Sequence, residues 1–75
     1  MDYTHNGYEF MFEIAPIRLY QGKYKYAAKT IEVRDSVTRA VVATSIGWEV
    51  YGRDQQDAYR AAREQAKEWA ESQRA

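Results

Sequence analysis

Between residues 8 and 15 the chain alternates. Tyr8, Phe10, Phe12 and Ile14 fall on one side, and Glu9, Met11 and Glu13 on the other. A period of two with aromatics on the apolar side predicts a half-buried strand. Asn6-Gly7 ahead of it is a turn signal. Pro16 has no N–H to give to a ladder, so it ends this strand or marks a sheet edge. Residues 19–23, with Gly22 among them, read as a hairpin loop. A second strand is predicted over 23–34. Tyr24, Tyr26 and Ala28 share one parity there, but Ile31 and Val33 have the other. One face cannot take both sets without a slip, so a bulge is expected near 27–30. Arg34-Asp35-Ser36 predicts the next turn through side-chain bonds to the backbone. The third strand is predicted over 39–51, with Val42, Thr44, Ile46, Trp48 and Val50 on its core side.

After residue 51 the period changes. Asp54 is a good N-cap, and Asp57 stands in the first turn, where negative charge is favoured. Ala58, Ala62, Ala66 and Trp69, flanked by Tyr59 and Ala70, recur at helical spacing and predict a helix over 55–72. Arg60–Glu64 and Lys67–Glu71 are spaced as helical ion pairs. Each element is apolar on one side only, so sheet and helix must cover each other. The expected fold is therefore α+β: a three-stranded antiparallel sheet followed by one C-terminal helix (βββα), in a single domain spanning 1–75. The expected core is Tyr8, Phe10, Phe12, Ile14, Ile46, Trp48, Val50, Ala58, Ala62, Ala66 and Trp69.

Length makes that core thin, because a chain of 75 residues buries only about 60% of the surface it exposes when unfolded. There are no cysteines, so neither disulfides nor thiolate-bound metal support it. No basic leader followed by an apolar run opens the chain, and no apolar stretch approaches roughly 18 residues, so a cytoplasmic protein without membrane contact is expected.

The net charge is zero, but it is spread unevenly. Residues 1–16 have three acidic groups and no Lys or Arg. Residues 17–39 have six basic groups against two acidic ones. The middle of the chain is the basic part.

No catalytic constellation is visible. The single imidazole, His5, sits beside a turn signal and reads as an exposed turn residue. One His without Cys supplies too few ligands for zinc, and no metal or cofactor is expected. Glu9 and Glu13 share a strand face about 13 Å apart, too far for a paired-carboxylate site. The four glycines are scattered and build no phosphate loop. What remains is binding. Arg18, Tyr20, Lys23, Lys25, Lys29, Arg34 and Arg39 are the candidate contact residues. Seven of the eleven aromatic residues are Tyr, more than a thin core will hold, and Tyr is favoured at protein interfaces. The first expectation is a non-enzymatic module that binds a protein partner through a Tyr-rich, basic sheet surface. The alternative is a nucleic-acid-binding module using the same basic face. A monomer or weak homodimer is expected in either case.

Gly22-Lys23-Tyr24 opening a strand, with Asp54 starting an Ala-rich helix, resembles the arm-type or AP2-like DNA-binding domains of phage integrases. That likeness covers residues 17–72 and implies a three-strands-and-helix fold with DNA as partner. Asn6-Gly7-Tyr8-Glu9-Phe10, with Tyr24 and then Ala58, Ala62, Ala66 and Trp69, is also similar to small uncharacterised sheet-then-helix proteins of bacterial and prophage genomes. A short, neutral, Tyr-rich chain without Cys likewise resembles phage-encoded inhibitors of host machinery, which implies a protein partner.

Overall fold

The computed structural model describes residues 2–21 and 24–73. It contains one antiparallel sheet and one C-terminal helix, in the expected α+β class, but with five strands rather than three. The elements are β1 (Asp2–His5), β2 (Tyr8–Gln21), β3 (Tyr24–Asp35), β4 (Val41–Ala43), β5 (Val50–Gly52) and α1 (Gln55–Ser72). β1 pairs with β2 and β2 with β3; β4 and β5 both pair with the other side of β3.

Two of the differences lie at the start of the chain. Asn6 and Gly7 take φ of 52° and 83°, which suits the two-residue turn of a tight hairpin. The turn signal therefore joins two strands, and Asp2–His5 folds back along Tyr8–Met11. β2 also runs on to Gln21 instead of stopping at residue 15. β1 pairs only with Tyr8–Met11, so beyond that point β2 has no second strand partner among the described residues and can accept Pro16.

The expected bulge is present. Met11 faces Glu32 and Phe12 faces Thr30, so Ile31 is the extra residue, just beyond 27–30. The slip lets Ala28, Thr30 and Val33 all turn inward despite their mixed parity. Asp35 makes the predicted turn, accepting the N–H groups of Val37 at 2.8 Å and Thr38 at 2.9 Å.

The third strand is not continuous. β4 meets β3 at Val33 and Arg34, and β5 meets it at Tyr26, Ala27 and Ala28. Residues 44–49 leave the sheet between them. Gly47 lies in this excursion at φ 144°, outside the range of a regular strand. The expected core side does not hold as a set: Val42 and Thr44 are exposed and Trp48 is 90% exposed, while Ala43, Ile46 and Val50 pack against the core.

The helix begins as predicted. The Asp54 carboxylate accepts the Asp57 N–H at 2.8 Å, and the Asp57 carboxylate accepts the Arg53 N–H at 3.1 Å. Its buried stripe is Ala58, Ala62, Ala66 and Ala70. These small side chains let the helix lie close to the sheet. The approach is tightest at Gly52, where a Cβ would stand 2.2 Å from the Ala58 nitrogen. Arg60 meets Asp57 at 3.7 Å and Glu71 meets His5 at 3.3 Å, so neither follows the i,i+4 pairing suggested by spacing.

The core lies between the helix and the inner sheet face. Phe10, Phe12, Ala28 and Val33 are buried there with the four alanines. Tyr8, Ile14, Ile46, Val50 and Trp69 pack half-buried around them. Trp69 closes one end, edge-on to Phe10 at 5.9 Å and to Tyr8 at 5.1 Å. Among the described residues no helix is long and apolar enough to cross a membrane.

Candidate interaction surface

The helix covers one face of the sheet, and the other face carries Lys25, Lys29 and Arg34 among the described residues. Register decides what those bases do. Pairing of β2 with β3 sets Glu9 opposite Arg34 and Glu13 opposite Lys29. Lys29 Nζ lies 3.6 Å from Glu13. Arg34 Nε donates to Glu32 at 2.6 Å, and Arg39, in the turn after β3, reaches Glu9 at 2.9 Å. The hydrogen bond to Glu32 raises the Arg34 pKa above its ordinary value. Exposed pairs like these add little stability, about 0–1 kcal/mol each. Their consequence is electrostatic: three of the candidate bases are matched by carboxylates on the same face. Lys25 is exposed on β3. Arg18 and Tyr20 belong to the backbone run of β2, while their side chains and Lys23 lie outside the described residues.

The second feature is the break in the third strand. Opposite Lys29–Glu32, the flank of β3 away from β2 has no strand partner among the described residues. The space left is a cleft of about 650 Å³, within the size range of ligand pockets. Lys29, Thr30 and Ile31 form one wall, and Thr44, Ser45, Gly47, Trp48, Glu49 and Tyr51 the other. Ile31 and Tyr51 are exposed beside Trp48, and the Tyr51 ring also meets Tyr24 at 6.2 Å between centroids. The Tyr51 hydroxyl donates to Glu49 at 3.1 Å, and this carboxylate raises its pKa. Thr30, only 7% exposed, has a buried hydroxyl oxygen that finds no hydrogen-bond partner among the described residues.

The excursion that opens the cleft is anchored rather than loose. Ile46 packs against the core, and Gln65 Nε2 on the helix donates to the Trp48 carbonyl at 2.8 Å. A Cβ on Gly47 would come within 2.9 Å of that same Gln65 nitrogen.

His5 is not a turn residue. It lies in β1, half-buried, stacked on Tyr3 at 6.0 Å and 3.3 Å from Glu71. Its contacts tie the first hairpin to the end of the helix. Among the described residues no group of three His, Cys, Asp or Glu side chains converges as a metal site.

The basic residues are thus legible in the sequence, and the cleft is not. The one available signal was Gly47 inside an otherwise strand-like run, a known mark of a bulge or break. No protein-family model matches this chain, and no curated protein or solved structure is significantly similar to it.

Proposed function

We propose that this chain is a small, non-enzymatic interaction module that docks a partner protein through the surface around Trp48. The observation that supports this most is the exposure of Trp48 in a chain whose core is short of large side chains. A thin domain has every reason to bury an indole, since a large aromatic supplies much of the burial energy available to it. This chain buries four alanines along its helix and leaves Trp48 outside, beside exposed Ile31 and Tyr51. Trp and Tyr are the residues most enriched among those that dominate binding energy at protein interfaces. The centre of the contact surface thus moves from the basic stretch to the strand break next to it. Tyr51 and Lys29 belong to both. The nucleic-acid alternative has less support, because Lys29, Arg34 and Arg39 each face a carboxylate. A chain without Cys suits a reducing compartment, so we place the module in the cytoplasm, as a monomer or weak homodimer.

The test compares baits. Wild-type protein, Trp48→Ala and the helix-face control Glu68→Ala are immobilised and exposed to the same native lysate. A discrete protein retained by wild type and Glu68→Ala, but not by Trp48→Ala, is the expected result. Equal retention by all three, or retention of nucleic acid that is lost at high salt, speaks against the proposal.

A further inference from the structure

We infer that the break in the third strand is an acceptor site for a short, uncharged, extended peptide segment of the partner, which pairs by its backbone with Lys29–Glu32 and sets an apolar side chain against Trp48. This rests on reading the chain as an interaction module and names what the module grips.

The recognition chemistry comes from the strand itself. Between Ala28 and Val33, β3 is held by β2 on one flank and, among the described residues, has no strand on the other. The four residues of this stretch, with Ile31 bulged among them, span at most about 13 Å. Along that length, backbone N–H and C=O groups point sideways and recognise another extended backbone whatever its sequence. Such an edge is ordinarily blunted or covered in a stable monomer. Here the chain's own segment that is placed to cover it has been drawn away. The pairs Val33–Ala43 and Ala28–Val50 leave four residues on β3 facing six on the other side. Those six cannot zip onto β3 without a further bulge. They are also committed elsewhere, through the bond from Gln65 to the Trp48 carbonyl.

Two observations select the occupant. Among the described residues the charged side chains on the cleft wall are Lys29 and Glu49; Lys29 pairs with Glu13, and Glu49 accepts from the Tyr51 hydroxyl. A charged segment finds at most one opposite charge on this wall, at Glu49, and would share it with the Tyr51 hydroxyl. The exposed apolar surface at the cleft mouth is Trp48 with Ile31. A neutral strand with an apolar side chain matches both conditions, and a phosphate-bearing chain matches neither.

The full chain, labelled with ¹⁵N, is titrated with a capped Thr-Ile-Thr-Val tetrapeptide, with its backbone N-methylated form, and with a capped Thr-Lys-Thr-Glu tetrapeptide. Saturable shifts at the amides of Lys29–Glu32 and at the Trp48 indole are expected from the first alone. N-methylation and Trp48→Ala are each expected to weaken binding by at least about tenfold. Gln65→Ala, which frees the excursion to relax over the edge, is expected to weaken it as well. Shifts that survive N-methylation mean side-chain contact without backbone pairing, and overturn the inference. So do equal shifts from the charged peptide, no saturable shift at all, or changes that track protein concentration without peptide, which point to a second copy of this chain. Should Trp48→Ala abolish partner retention while no peptide moves Lys29–Glu32, the interaction module stands and strand pairing falls.

Discussion

The two flanks of β3 are built from similar sequence and do opposite things. On one flank β2 pairs with it from Tyr8 to Pro16, absorbs a single bulge at Ile31, and carries Phe10 and Phe12 into the core. On the other flank the partner strand is cut in two, and the largest side chain of the cut segment faces solvent. Both flanks have apolar residues at strand spacing. What separates them is where the opposing residues are needed. Phe10 and Phe12 have the helix above them. Trp48 stands in a segment whose carbonyl is taken by Gln65 and whose Gly47 leaves strand geometry. The same pattern of hydrophobic residues thus supports packing on one side and leaves a surface for contact on the other.

The largest test of that contrast is on the packed side. Trp69→Ala removes the ring that closes the core against Phe10 and Tyr8, at a loss of about 3–5 kcal/mol. For a domain this small we expect the cooperative thermal transition to disappear, because its whole stability is of that order. An unchanged melting temperature refutes the packing described. Gly52→Ala comes next. The added methyl would meet the backbone of Ala58, which cannot rotate away, so helix and β5 must separate. We expect a loss of about 3 kcal/mol, the upper range for overpacking, measured by urea unfolding.

Thr30→Val sharpens the comparison from inside the cleft wall. It replaces a hydroxyl that has no partner among the described residues by an apolar group of the same shape. Stability should stay level or rise by up to about 1 kcal/mol. A loss beyond that would show that the hydroxyl is satisfied after all.

The smallest effect is electrostatic and local. Asp35 has its pKa lowered, first by the Thr38 N–H and then by the Val37 N–H. A carboxylate with a lowered folded pKa contributes stability that is present above its unfolded pKa, about 4, and lost as pH falls through the folded value. The amide shifts of Val37 and Thr38 should therefore titrate below pH about 4, with those of Phe10 and Phe12 unmoved. A midpoint at or above the ordinary carboxylate value contradicts the turn geometry.

How far the sequence could be read follows the same division. The helix, its Asp54 cap and its alanine stripe were plain, because periodicity and capping are local signals. The bulge in β3 was also readable, since Tyr24, Tyr26 and Ala28 conflict in parity with Ile31 and Val33. β1 was missed, as Asp2–His5 has little apolar patterning of its own and is held by register against β2 and by the Tyr59 hydroxyl bonded to the Asp2 carbonyl at 3.0 Å. Trp48 was misplaced for a related reason. Its alternation with Ile46 and Val50 is sound as a local pattern; Gly47 was the one local sign of a break, and the bond from Gln65 that holds the segment off the sheet is tertiary. The basic residues Lys29, Arg34 and Arg39 were found, but their pairing with Glu13, Glu32 and Glu9 depends on β2–β3 register and on the turn, which composition does not contain.

If Trp48 serves contact and not folding, one matched measurement on Trp48→Ala shows it. Urea unfolding should give a free energy within about 0.5 kcal/mol of wild type, as for a surface substitution, while the same protein fails to retain the partner that wild type retains. A loss of stability of several kcal/mol, or undiminished retention of the partner, would contradict it.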